Sequence, residues 1–136
     1  MRAAAGNGYY SASKAALELI SEAVDKESEH LDIKVMIVEP GAFRTNFYDS
    51  LKGTNVRIDD YTPSVDKMRL ENMVNNHDQP GNPDKAGKLI VRMVQSGNLP
   101  KRLPLGSDAV RIINTELERR TNELKEVEQY SIQTDF

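Results

Sequence analysis

From Tyr10 to about His30 apolar residues recur on one broad helical face, built by Ala12, Ala15, Ala16, Leu17, Leu19, Ile20, Ala23 and Val24, with no Gly or Pro among them. The pattern predicts a helix whose small leading residues allow close packing on a neighbour. Glu18, Glu22, Asp25, Lys26, Glu27 and Glu29 fall on the other side and read as its solvated face. A different rhythm follows. Ile33-Lys34-Val35-Met36-Ile37-Val38 is a β-branched run that barely alternates, as expected of a strand covered on both faces in a parallel sheet. Glu39-Pro40-Gly41 is expected to end it.

Residues 42–82 are weakly patterned. Phe43, Phe47, Tyr48 and Leu51 fit a short helix, and Val65 to Val74 holds a second weakly helical stretch, with Pro63, Pro80, Gly81 and Pro83 as punctuation. So long an insert is uncommon in a compact domain unless it is a lid or binding segment. From Pro83 to about Gly97 a clearer helix buries Ala86, Leu89, Ile90, Met93 and Val94. Leu103-Pro104-Leu105-Gly106 fits a short strand at a sheet edge. Ser107 or Asp108 is then expected to cap a last helix with Val110, Ile113, Leu117 and Leu124 on one face. The element order is α/β. One clear strand and one shorter one leave a parallel sheet short of neighbours, so the sequence reads as part of a fold.

Composition narrows the classes. The 136 residues suit one domain, and 38% hydrophobic with 29% charged residues is polar but not the composition of a disordered chain. The net charge of −3 comes with no basic patch, which argues against a nucleic-acid partner. Residues 108–136, with four basic and seven acidic side chains, read as a solvated helix face and acidic tail. The absence of cysteine excludes disulfides, thiolate metal sites and a Cys nucleophile. Apolar runs are far short of a membrane span or a signal-peptide core, so the expectation is a soluble, cytoplasmic protein without a membrane partner. His30 and His77 stand alone and read as surface residues, Asp59-Asp60 as a solvated pair. No Gly-x-Ser-x-Gly elbow or zinc-ligand spacing occurs, and no metal is expected.

The most informative stretch is Tyr10-Ser11-Ala12-Ser13-Lys14. Four residues apart on a helix, Tyr10 and Lys14 are neighbours on one face. A phenol ordinarily releases its proton only near pH ~10. An ammonium close by stabilises the phenolate and turns the phenol into a usable proton donor or acceptor. Taken alone, the pair is better read as a packed tyrosine beside a surface lysine, since the two types meet at this spacing by chance in many helices.

Three features join it: Gly6-Asn7-Gly8 ahead of the helix, the buried strand behind it, and Pro40-Gly41-Ala42-Phe43-Arg44-Thr45 at that strand's carboxyl end, where open α/β sheets place ligands. With Val38-Glu39-Pro40-Gly41, Thr45, Leu103-Pro104-Leu105-Gly106-Ser107-Asp108-Ala109 and the closing Thr134-Asp135-Phe136, the sequence resembles the short-chain dehydrogenase/reductase superfamily. The order and separation of the motifs carry the likeness, which spans the chain but only the C-terminal half of the family's domain. It implies the C-terminal half of a Rossmann-type doubly wound parallel sheet, incomplete in this chain, with residues 1–136 forming part of one NAD(P)-binding domain and 42–82 its substrate loop insert.

By that resemblance Tyr10 is the acid/base that exchanges a proton with an alcohol or ketone substrate during hydride transfer. Lys14 would stabilise its phenolate and hydrogen-bond the nicotinamide ribose. Pro40, Gly41, Phe43 and Thr45 would border the nicotinamide end of NAD or NADP, the choice between them undetermined. Phe43, Phe47 and Tyr48, with Leu51, Met68 and Met73, would line an apolar substrate pocket; packing of the loop itself is the plainer alternative. Tyr9 is excluded because Ser13, not Lys, lies four residues on. Ser11 and Ser13 lie on the wrong side of the tyrosine to be the family's catalytic serine. The glycine-rich dinucleotide loop is absent, since Gly6-x-Gly8 is followed by Ser11 where a third Gly would stand. The catalytic Ser and the family's Asn would lie before Met1. The isolated chain is therefore expected to bind dinucleotide poorly and to turn over little. A homo-oligomer is expected of the longer protein. The rival reading is a non-catalytic helical interaction protein, or the relic of a truncated gene.

Overall fold

The computed structural model describes residues 2–50, 58–68 and 77–136. In chain order the main elements are α1 (Gly8–Glu27), β1 (Ile37–Pro40), α2 (Pro83–Gln95), β2 (Arg102–Leu105) and α3 (Ser107–Ser131). Single 3-10 turns at Glu29–Leu31, Tyr48–Ser50, Asp59–Tyr61 and Ile132–Thr134, and a π-helical turn at Thr62–Asp66, fill the joints. The short helix expected around Phe43–Leu51 is thus a single turn, with Leu51 outside the described residues. Of the expected helix over Val65–Val74 only residues 65–68 are described. No helix among the described residues is long and apolar enough to cross a membrane.

β1 and β2 pair in parallel, from Ile37 opposite Arg102 to Pro40 opposite Leu105. The strand expected at residues 33–38 begins later and extends through Pro40. Its partner β2 begins only at Arg102, so residues 33–36 have no ladder to join; the Val35 N–H donates instead to Asp25 Oδ1 at 3.4 Å. Pro40 is tolerated because of the ladder's parity. Ile37 donates to Lys101 O and Gly41 to Leu105 O, both at 2.9 Å, so the Pro40 nitrogen lies on the edge away from β2. Pro104, opposite Glu39, occupies the equivalent outer position on β2.

The orientation of α1 reverses the expected one. Glu18 and Glu22 turn toward the sheet, where both accept hydrogen bonds from Arg102 of β2, and Glu39 of β1 also accepts from Arg102 at 3.3 Å. Asp25 accepts from Lys101 one turn further on. The apolar face points outward instead: Leu17 is 57% exposed and Ile20 61%. Charge, not apolar burial, ties α1 to the sheet. An Arg at the head of β2 meets carboxylates at i and i+4 of the helix, a pairing that hydrophobic periodicity alone does not reveal.

α2 starts as its sequence predicts. Asn82 caps it by accepting the Lys85 N–H at 3.0 Å, Pro83 occupies the first turn, and Gly97, with φ +70°, follows its end. The cap expected on α3 is not formed. Gly106 stands at the cap position with φ 95°, and no side chain closes the first turn; Asp108 bonds elsewhere. Leu105 and Ala109, 4% and 6% exposed, are the buried apolar residues among those described, where β2 runs into α3.

Candidate active site at the carboxyl end of the strands

The chain enters α1 through a tight turn. Asn7 N–H donates to Ala4 O at 3.0 Å, and Gly6 takes a φ of +76° that side chains disfavour. This turn delivers Tyr10 to the first coil of α1, and Lys14 follows one turn later. The Lys14 ammonium lies 5.5 Å from the centre of the Tyr10 ring, within the range of a cation–π attraction. Ser13 Oγ donates to the Tyr10 carbonyl at 2.8 Å and takes no part in the phenol's surroundings. Tyr9 is 98% exposed and stands clear of the pair.

Opposite this helix, β1 ends in the Pro40-Gly41 bend. A cavity of about 830 Å³ opens between them, within the size range of small-molecule sites. Tyr10, Pro40, Gly41, Phe43, Thr45, Phe47 and Tyr48 all line it. These sequence-predicted site residues thus share one cavity, and Lys14, beside the Tyr10 ring, is not among those lining it. Met68 lines it as well, whereas Leu51 and Met73 lie outside the described residues. The aromatic wall is continuous: Tyr10 and Phe47 have ring centres 6.2 Å apart, and Phe47 and Tyr48 meet edge to face at 5.4 Å. Thr45 Oγ1 accepts the Phe47 N–H at 3.3 Å, which leaves its hydroxyl proton for another acceptor.

The segment after the bend is held firmly. Phe43 pairs with Gly81 in an isolated parallel bridge. Gly81 N–H donates to Ala42 O at 2.9 Å, and Arg44 N–H donates to Gly81 O at 3.1 Å. Arg44 Nε also donates to Gln79 O at 2.6 Å. Asp108 reaches from α3 to accept the Ala42 N–H at 2.7 Å. Several contributors were not singled out in the sequence. Ala86, Gly87 and Ile90 of α2 form the far wall, Asn7 sits at the mouth, and Asp108 braces the bend. The i, i+4 spacing of Ala86 and Ile90 was the available signal for the first. His77 pairs with Asp49 at 3.3 Å. Among the described residues no group of His, Cys, Asp and Glu is arranged to hold a metal ion.

Comparison with known proteins agrees with this geometry. The family description "short chain dehydrogenase" matches residues 1–55, the stretch from the Gly6 turn through the Pro40-Gly41 bend. A short-chain dehydrogenase from Streptomyces avermitilis superposes with a TM-score of 0.83 at 40% identity, over 99% of this chain and 49% of its own. The 3-ketodihydrosphingosine reductase of Bacteroides thetaiotaomicron is 37% identical over 105 residues, 73% of this chain and 37% of that protein. Oxidoreductase calM of Penicillium decumbens is 31% identical over 133 residues, 93% of this chain and 43% of that protein. The chain belongs to the short-chain dehydrogenase/reductase superfamily. It spans half or less of the length of these relatives.

Proposed function

We propose that this chain forms the nicotinamide-side half of an NAD(P)-dependent alcohol/ketone oxidoreductase site, with Tyr10 as its acid/base. The observation that carries the reading is the cavity itself, lined by both Tyr10, with the Lys14 ammonium near its ring, and the Pro40-Gly41 bend. The residues suit a nicotinamide: a concave, largely apolar cavity lined by the Pro40-Gly41 main chain and by Thr45, whose hydroxyl proton is free to donate. When bound, that group supplies the hydride that reduces the carbonyl carbon and is itself left oxidised. Tyr10 Oη gives its proton to the carbonyl oxygen as the alcohol forms. The resulting phenolate is stabilised by the Lys14 ammonium one turn away. In the oxidation direction the same phenolate takes the alcohol's proton.

Phe43, Phe47, Tyr48 and Met68 line the remaining space with apolar surface, which favours a hydrophobic ketone or alcohol. One relative is named for reducing 3-ketodihydrosphingosine, in keeping with such a substrate. A glycine-rich loop for the adenosine half of the cofactor is not among the 136 residues. The chain alone therefore binds dinucleotide weakly and turns over little. Joined to a polypeptide that carries such a loop, it reduces apolar ketones with NADH or NADPH, and Tyr10→Phe abolishes the reduction with cofactor binding nearly intact. Full turnover by the Tyr10→Phe variant would remove Tyr10 from this role. Tight stoichiometric NAD(P)H binding by the chain alone, seen by calorimetry, would contradict the division of the site.

A further inference from the structure

We infer that Asp108 is the positioning residue that fixes the Pro40-Gly41-Ala42 bend, and with it the wall of the cavity facing Tyr10. The assignment of that wall to nicotinamide rests on the function proposed above; the brace itself does not. Asp108 sits in the first turn of α3, sixty-six positions along the chain from Ala42, yet its Oδ2 accepts the Ala42 N–H at 2.7 Å. Its other oxygen, Oδ1, is buried and has no hydrogen-bond partner among the described residues. It stands inside the first turn of α3, past the cap position held by Gly106, and makes no cap bond within its own helix. Its hydrogen bond is spent on the bend.

The two surrounding glycines show that the slot is shaped to this side chain. A Cβ on Gly41 would collide with both carboxylate oxygens, and one on Gly106 would fall 2.6 Å from Oδ1. Gly106 also has a φ of +95°, a backbone state that disfavours any side chain. From the other side, a Cβ on Gly81 would fall 2.6 Å from Ala42 O and the same distance from the Phe43 ring. The bend is thus gripped between Asp108 and Gly81, and Phe43 and Thr45 leave it at a fixed angle. A charge-assisted bond to a main-chain N–H is among the stronger ones available for such a purpose. Small displacements of groups that orient a reactant are costly, which gives the brace its consequence.

The test uses two readouts on this chain: hydrogen exchange of the Ala42 amide, and binding of reduced nicotinamide mononucleotide followed by NMR titration. Asp108→Ala is expected to speed Ala42 exchange by roughly 10- to 100-fold and to weaken mononucleotide binding about tenfold, the scale of one lost charged hydrogen bond. Asp108→Asn keeps an acceptor and should restore both to within about threefold. The steric half of the idea has its own cycle. Gly41→Ala should perturb the bend in the presence of Asp108 and much less in the Asp108→Ala background. Unchanged Ala42 exchange in Asp108→Ala, or an equal effect of Gly41→Ala in both backgrounds, would overturn the brace. Should the mononucleotide fail to bind the unaltered chain while Ala42 exchange responds as stated, the brace stands and the nicotinamide reading falls.

Discussion

The ammonium of Lys14 lies 5.5 Å from the centre of the Tyr10 ring, one turn further along the same helix. The relationship follows from helix geometry, which sets residues four apart side by side. It gains chemical meaning because Tyr10 lines the same cavity as the Pro40-Gly41 bend. General acid–base catalysis by a positioned group contributes about 10²- to 10⁴-fold. In a polypeptide that completes the cofactor site, Tyr10→Phe should cost kcat that much with little change in cofactor affinity. Lys14→Ala should lower kcat, because the phenolate formed in the step loses its neighbouring cation. An unaltered kcat in Lys14→Ala would detach the lysine from the tyrosine's chemistry.

Arg102 holds α1 to the sheet by donating to Glu18 and Glu22 of the helix and Glu39 of the strand. Those bonds, the Glu18 one foremost, raise its pKa above the ordinary arginine value. The side chain is 37% exposed, so solvent screening reduces what the cluster contributes. Arg102→Ala is expected to destabilise the chain by about 1–2 kcal/mol in urea unfolding, less at high salt. It should also loosen the amides at the start of α1, where Tyr10 sits. Unaltered stability would return the role of holding α1 to apolar contacts.

The cap of α2 offers a cleaner local test. Asn82 Oδ1 accepts the Lys85 N–H at 3.0 Å. Asn82→Ala should cost about 1 kcal/mol, and Asn82→Asp should cost little because the acceptor remains. Thermal melts of the two variants separate the outcomes.

Acid is expected to weaken α3 through one carboxylate. Arg119 first, then Arg120, hydrogen-bonds Glu116 and holds its carboxyl at about 2, against an ordinary 4.5. A folded value below the unfolded one favours the folded helix wherever the unfolded carboxylate is already ionised. That contribution is complete above pH 4.5 and fades as pH falls toward about 2. Circular dichroism should therefore show α3 losing helicity across that window, and Glu116→Gln should remove this part of the acid response. The same acid titration in both proteins would contradict it.

The sequence carried the motifs more faithfully than the packing. Tyr10, Pro40, Gly41, Phe43, Thr45, Phe47 and Tyr48 were each identifiable from residue type and order, and they share one cavity. α2 was legible from Pro83 in its first turn and its Gly stop, because those signals are local. The orientation of α1 was not. Its apolar stripe argued for inward packing, whereas the carboxylates of Glu18 and Glu22 turn in because Arg102 waits eighty-four and eighty positions away. Asp108 was misassigned for the same reason. Its neighbours in sequence suggest a helix cap, but its partner is Ala42. β1 was displaced toward its proline because register depends on where β2 begins. Long-range pairing is the information a periodicity does not contain.

The central claim is that nicotinamide lies between Tyr10 and the Pro40-Gly41 bend, and the most direct measurement is an intermolecular NMR contact map with reduced nicotinamide mononucleotide. Contacts from the nicotinamide protons to the Tyr10 ring, Ala42 and Thr45 are predicted, with Tyr9 unaffected. Contacts confined to surfaces away from those residues, or none at saturating mononucleotide, would contradict the account.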